Sequence, residues 1–241
     1  MIYWIESSRP SALESRHVSR GTSQRIRGLN NIDLEQTARE LGIALTEEQL
    51  LHFESYESKI TEWSDRTNLV SRGDQAHLRG RHFLDSLLAL PYLPEGKHSL
   101  MDLGSGAGLP GIPIKIVRRD IKVTLLDSNR MKSLFLADVI KVLAFSGLSA
   151  IRLRAEEVPS GEELVTFDVV TARAVGVLPL LWKMAEPILN PGGFLLAFKG
   201  PEARQEWGTR APKHLEVGYF EKIIPATGRI RMMVCVRKKV D

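Results

Sequence analysis

In the stretch LMDLGSGAGLPGIPIKIV, Leu100 to Val117, glycines stand at 104, 106 and 108, with Asp102 just before them and Pro110 just after. One hydrophobic run leads in and another follows, so the order reads strand, glycine loop, helix. Glycines at such a junction permit a sharp turn and let the backbone approach a ligand with no Cβ in the way. Pro110 suits an early helical position, where a missing N–H costs little. Asp127 closes the next apolar run, 23 residues beyond Gly104. A carboxylate at that distance is placed to accept hydrogen bonds from both ribose hydroxyls. Loop and carboxylate together predict a nucleoside ligand. Ala155 and Glu156, after the third strand, fall where such sheets border an adenine; a solvated helix start with Glu157 is the plain alternative.

Two cofactors meet these requirements, a nicotinamide dinucleotide and S-adenosylmethionine. A dinucleotide loop reads G-x-G-x-x-G and seats a pyrophosphate on a helix N-terminus. This loop reads G-x-G-x-G, and Asp102 suits a methionine ammonium but not a pyrophosphate. The spacing therefore favours methyl transfer over hydride transfer. Methylation at pyrimidine C5 needs a cysteine nucleophile. The single cysteine, Cys235, lies in the last apolar run and reads as a buried small residue. After the fourth strand stands TARAV, Thr171 to Val175, where exocyclic-amine methyltransferases carry Asn/Asp-Pro-Pro-Tyr/Phe. Acceptors with a ready lone pair remain, guanine N7 among them, and hydroxyls of small molecules stay open. Attack by N7 needs no deprotonation, so the task is alignment and desolvation. His52, His77, His98 and His214 show no metal-ligand spacing, and no metal is predicted.

These residues must be carried by elements of the right kind. The 241 residues suffice for one large domain, or one domain with a cap. Apolar runs are of strand length, so no bilayer span is predicted. With one cysteine and no secretory pattern at the start, a soluble cytoplasmic protein is expected. The net charge of +4 permits a polyanionic partner.

Residues 1–31 are rich in Ser and Arg (Arg9, Arg16, Arg20, Arg25, Arg27) without apolar period, which predicts a disordered tail. The same bias resembles a transit peptide, against which Glu6 and Glu14 stand. Residues 32–94 read as a helical cap. Thr46 and Gln49 have capping-box spacing, and Phe53, Tyr56, Ile60 and Trp63 recur at helical intervals. A second helix is predicted from Gln75 to Leu90, with Phe83, Leu84, Leu87 and Leu88 buried. Residues 95–241 form the core. Strands are predicted at Ser99–Leu103, Lys122–Asp127, Ala150–Leu153, Phe167–Ala172 and Gly193–Phe198. Helices at Gly111–Arg118, Met131–Phe145 and Val177–Leu189 alternate with them, which implies a parallel sheet. Val217–Ile224 and Ile230–Val236, joined at Ala226–Thr227–Gly228, read as a closing antiparallel hairpin. The class is α/β, with seven strands in all.

The chain resembles the RsmG family, also called the glucose-inhibited division protein B family. The resemblance runs from about Thr46 to Lys238. It rests on ITEWSDRTNLVS, RHFLDSL, MDLGSGAGLPGIPIKI, VTLLDSNRMKSLFL, RAEEVP, FDVVTARAV and LAFKG, of which DLGSGAGLPGIP with RHFLDSL is highly specific. It implies a Rossmann-like class I S-adenosylmethionine-dependent methyltransferase fold. It implies transfer of a methyl group to guanine N7 in a loop of bacterial small-subunit (16S) ribosomal RNA. The alternatives are a non-catalytic ribosome-assembly factor on the same fold, or another acceptor. By position, Gly104, Gly106 and Leu109 would contact the cofactor, with Asp102 near its amino group. Asp127 and Ser128 would hold the ribose, and Ala155 and Glu156 the adenine. Arg173 would lie beside the methionine part and the target base, and Lys199, before Gly200, would reach RNA, with a solvated loop lysine as the alternative. Arg72, Arg79 and Arg81 are candidates for a basic rim, with a solvated face as the alternative. His82, Asp85 and Ser86, which match the family's signature, lack the separation of a catalytic triad; packing of the cap over the loop is expected of them, with RNA contact as the alternative. Trp63 and Asn68 would fix the end of the long helix. The expected partner is 16S ribosomal RNA or the small subunit, bound by a monomer, with neither DNA nor membrane. The Ser/Arg-rich tail before Asn31 is longer than the family's usual start.

Overall fold

A computed structural model describes residues 33–64, 66–67, 69–158, 166–208, 211–225 and 227–239, and the backbone alone of Arg72. The tail of residues 1–31, Asn68 and Ala226 lie outside the described residues. Seven strands form one sheet in the order β3-β2-β1-β4-β5-β7-β6. They are β1 Ser99–Leu103, β2 Lys122–Leu126, β3 Leu148–Ile151, β4 Phe167–Arg173, β5 Leu189–Lys199, β6 Leu215–Ile224 and β7 Arg229–Lys238. The first five pair in parallel, while β7 runs antiparallel to both β5 and β6. The closing hairpin is therefore present and longer than its apolar runs suggest.

Alternation along the strands sorts the core into two faces. Leu100, Leu125, Val169, Leu196, Phe198, Met233 and Cys235 belong to one cluster. Met101, Leu103, Leu126, Val170, Ala172, Leu195, Met232 and Val234 belong to the other. Helices α5 (Gly111–Val117) and α6 (Arg130–Leu143) bury Ile112, Phe135 and Val139 in the first cluster. Helix α7 (Leu178–Ala185) buries Leu178, Leu181 and Trp182 in the second. Burial pushes the Cys235 thiol up to about 12, which leaves it an inert core residue.

The cap joins the first cluster. Helix α1 spans Leu34–Glu40 and α2 spans Glu47–Ser64. The capping box at the start of α2 is formed: Thr46 N–H donates to Gln49 Oε1 at 2.9 Å, and Gln49 N–H to Thr46 Oγ1 at 3.2 Å. Phe53, Tyr56 and Ile60 are buried. Trp63 ties the end of α2 to α6, its indole donating to Asp138 Oδ2 at 2.9 Å. Tyr56 stacks on Phe83, and its hydroxyl donates to the carbonyl of Ala107 in the glycine loop.

Tyr56→Phe strands that buried carbonyl without a donor. A loss of about 1–3 kcal/mol in unfolding free energy is expected from urea denaturation.

Two expectations are corrected. The helix drawn from Gln75 to Leu90 is broken into α3 (Arg72–Gln75), a π turn at Arg79–Phe83, α4 (Leu84–Leu87) and a 3-10 turn at Leu90–Tyr92. Gly80 is buried within the π turn, and all four residues of α4, Asp85 and Ser86 included, face inward. An amphipathic α-helix would have turned part of that set to solvent. The third strand starts and ends two residues earlier than its apolar run implied. It pairs from Leu148 opposite Val123 and stops at Ile151, where β2 offers no further partner beyond Leu126.

Candidate functional site

Strand order reverses between β1 and β4, so the loops after those two strands part and leave a crevice at the carboxyl edge. The crevice encloses about 610 Å³, within the ordinary range for a small-molecule site. Gly104, Gly106 and Leu109 line it from the loop after β1. Arg173 and Ala174 line it from the end of β4, Lys199 and Gly200 from the end of β5, and Arg229 and Arg231 from β7. Arg81 and His82 come from the cap, and Lys132 from α6.

The loop is held from behind. Asp102 is buried, with Oδ2 accepting from Ser105 Oγ (2.6 Å) and Gly111 N–H (3.0 Å), and Oδ1 from Thr171 Oγ1 (3.0 Å). Burial pushes its carboxyl up to about 6 against those hydrogen bonds. Asp102 does not line the crevice, so its work in this structure is to fix the loop's shape and not to face a ligand's ammonium. Asp127 lies just behind the loop, accepting from Gly106 N–H at 2.8 Å and Asn129 N–H at 2.8 Å. Each oxygen keeps a lone pair for a further donor. Gly106 has φ +60, and a Cβ there would meet nothing nearer than 3.9 Å, so the loop presents bare backbone to open space.

The sequence-predicted residues fall into three groups. Gly104, Gly106, Leu109, Arg173, Lys199 and Arg81 meet on the crevice wall. Asp127, Ser128, Ala155 and Glu156 lie off it, beyond the ends of β2 and β3; Ser128 and Glu156 are exposed. Arg79 is also off the wall and pairs with Glu57 at 2.8 Å. Of the Arg72 side chain nothing is described. Lys199 is tied down, donating to the Gly176 carbonyl at 2.6 Å and pairing with Glu206 at 2.7 Å. Arg81 pairs with Asp74 at 2.8 Å.

The cap contributes more than packing. Asp85, fully buried, holds two arginines of the crevice at once. Arg231 forms a two-pronged bond to it, Nε to Oδ1 and Nη2 to Oδ2, each 2.7 Å. Arg173 Nη1 reaches Oδ2 at 3.2 Å, and Arg231 Nη1 also donates to the Lys199 carbonyl at 3.3 Å. A planar guanidinium held this way has one orientation. Arg229 and Arg231 were not singled out from sequence. Their spacing of two at the start of β7 puts both on one strand face, but only the pairing of Lys199 with Met232 places that face at the crevice. Among the described residues, no group of three or more potential metal ligands comes together, and no helix is long and apolar enough to cross a membrane.

His82 sits beside this cluster with neither ring nitrogen hydrogen-bonded among the described residues. Burial, then the Arg173 charge, pushes its pKa down to about 4. The folded protein thus favours the neutral ring, and its contribution to stability is complete above about pH 6.5 and lost as the pH falls toward 4. Relative to His82→Gln, the wild type is expected to lose up to about 3 kcal/mol between pH 7 and pH 4, read by urea denaturation at several pH values.

Residues 49–233 match the family model described as rRNA small subunit methyltransferase G. The ribosomal RNA small subunit methyltransferase G of Pelotomaculum thermopropionicum is 40% identical over 215 residues, covering 85% of this chain and 89% of that protein. The protein of the same name from Desulfitobacterium hafniense is 41% identical over 173 residues, covering 70% of this chain and 71% of its own length. Among solved structures, precorrin-6y C5,15-methyltransferase of Geobacter metallireducens superposes with a TM-score of 0.45 at 15% identity, covering 72% of this chain and 92% of that chain.

Proposed function

Because the chain belongs to the rRNA small subunit methyltransferase G family, we propose that its crevice aligns the N7 of a guanine in small-subunit ribosomal RNA for methyl transfer. The protein is an S-adenosylmethionine-dependent ribosomal RNA methyltransferase. One observation carries the acceptor reading: the crevice pairs a bare glycine loop with arginines fixed by a buried carboxylate, its carboxylates Asp74 and Glu206 are paired with Arg81 and Lys199, and His82 has no partner among the described residues to orient it as a base. Such a wall orients and neutralises an anionic strand, and it suits an acceptor that has no proton to lose.

The residues fit the cofactor. Gly104, Gly106 and Leu109 would hold the methionine part, Asp127 and Ser128 the ribose, and Ala155 and Glu156 the adenine, along the open surface beyond the crevice. When bound, the group supplies an electrophilic methyl on a sulfonium. Arg173 and Arg231 hold the acceptor nucleotide in place. The lone pair of N7 needs no base. Positive charge moves to the guanine, and the arginines, bonded to Asp85, are partly neutralised where that charge arrives.

The test is methylation of small subunits prepared from cells lacking this gene. Purified protein with S-adenosylmethionine is expected to add one methyl, located at guanine N7 by chain cleavage after borohydride reduction and by mass spectrometry. A methyl on another atom would overturn the acceptor assignment, and no methyl at all would overturn the site.

A further inference from the structure

The segment 199–208 separates two depressions. Lys199, Gly200 and Glu206 line the crevice, whereas Arg204, Trp207 and Gly208 line a second groove of about 500 Å³. Its opposite wall is the end of the hairpin, with Tyr219 of β6 and the lysines at 213 and 239. The rim is closed where Lys239 N–H donates to the His214 carbonyl at 2.9 Å.

The chemistry of this groove is one-sided. Arg204, Lys213 and Lys239 bring three cations, and no carboxylate is among the described residues that line it. Arg204 lies over the Tyr219 ring, 4.6 Å from its centroid. Trp207 stands beside them half-buried, its indole N–H without a partner among the described residues. Burial of apolar surface alone accounts for Leu215 and Val217 in this lining but not for three cations with no lining carboxylate among the described residues. Cations with aromatic rings in a groove are the pattern that binds single-stranded nucleic acid: phosphates on the charges, bases on the rings.

We infer that this groove binds the single-stranded ribosomal RNA flanking the target nucleotide, with a base against the Arg204–Tyr219 pair and Trp207, and phosphates on Lys213 and Lys239. The inference rests on the reading of the crevice as a ribosomal RNA methylation site. A strand that presents its base to the crevice then continues across segment 199–208 into the groove.

The experiment compares the wild type with Lys213→Glu/Lys239→Glu and with Lys141→Glu, which puts the same kind of charge change on the exposed face of α6. Binding of small-subunit RNA is measured by filter retention at several salt concentrations. KM and kcat are measured on unmethylated small subunits, and affinity for S-adenosylhomocysteine by calorimetry confirms the fold. The double variant is expected to bind RNA about ten-fold more weakly, with a salt slope smaller by about two, the loss falling on KM. Lys141→Glu is expected to stay within about two-fold. Lys141→Glu carries half the charge change, so a loss in it half as large on a logarithmic scale, about three-fold, would mean a net-charge effect and overturn the site. So would wild-type RNA affinity in the double variant with KM raised only on assembled subunits, which would point to a ribosomal protein. Failure of the wild type to methylate would sink the function reading instead, and the RNA-binding comparison would still read the groove.

Discussion

Asp85→Asn is expected to lower kcat/KM for small subunits by about 100-fold while affinity for S-adenosylhomocysteine stays within about three-fold. The reasoning starts from burial. Asp85 has no exposed surface, and the two arginines that share it are 13% and 18% exposed. The carboxylate offers both oxygens to Arg231 and one of them to Arg173. An amide of the same shape keeps one acceptor and turns an N–H₂ toward a guanidinium, so the fork on Arg231 cannot form. Both arginines then swing toward solvent, and the acceptor loses the groups that hold it. Because the arginines reach water, the stability cost is less than for a sealed pair, about 2–3 kcal/mol in urea denaturation. Misfolding is separated from mispositioning by a cycle. Arg231→Lys removes the fork from the other side, and the double variant Asp85→Asn/Arg231→Lys is expected to be little worse than either single change. Additive losses, or wild-type kcat/KM in Asp85→Asn, would show that the clamp does not position the reacting groups. Asp85 is a positioning residue in this account, since it acts through the arginines.

Asp85 also marks where sequence reasoning stops. The alternation of strands and helices from Ser99 to Phe198 is written in apolar runs, and the runs of β1, β2, β4 and β5 pair as their patterns require, the third alone being shifted. The glycine loop and Asp127 were legible because spacing along one βαβ unit fixes their proximity. The clamp joins residues 85, 173 and 231, from the cap, the fourth strand and the closing hairpin, and no local period records such an encounter. The expectation of a continuous second helix failed for a related reason. Helical periodicity around Leu84 and Leu87 has the right residues for an amphipathic stripe, but it cannot register that Asp85 and Ser86 also point inward once a π turn precedes them. Asp102 was misread in direction only. Its type and its place near the end of β1 are as the spacing requires, yet its carboxyl is fully buried and bonded to Ser105, Gly111 and Thr171.

Gly104→Ala is expected to weaken S-adenosylhomocysteine binding by about 100-fold or more and to abolish detectable methylation at ordinary cofactor concentrations. Two independent costs meet at this position. The backbone sits at φ +67, which an L-residue adopts at about 1–2 kcal/mol. A Cβ there would stand 2.6 Å from Val175 Cγ2, so the stiff β-branched Val175 side chain must leave its rotamer or the loop must give way. The loop cannot retreat cheaply, because Ser105 N–H is bonded to the Leu126 carbonyl and Gly106 N–H to Asp127. Shifting it disturbs the two neighbours that shape the cofactor surface. Gly106→Ala separates the costs: φ is +60 there, but the Cβ meets open space on the crevice side. It is expected to reduce binding by intrusion and to cost only about 1 kcal/mol of stability, against about 2–4 for Gly104→Ala. Val175→Ala in the Gly104→Ala background removes the clash and leaves the backbone strain. Part of the stability and part of the affinity should therefore return. Calorimetry with S-adenosylhomocysteine on the four proteins decides the matter: wild-type affinity in Gly104→Ala would mean that the glycine loop is a structural turn and that the cofactor lies elsewhere.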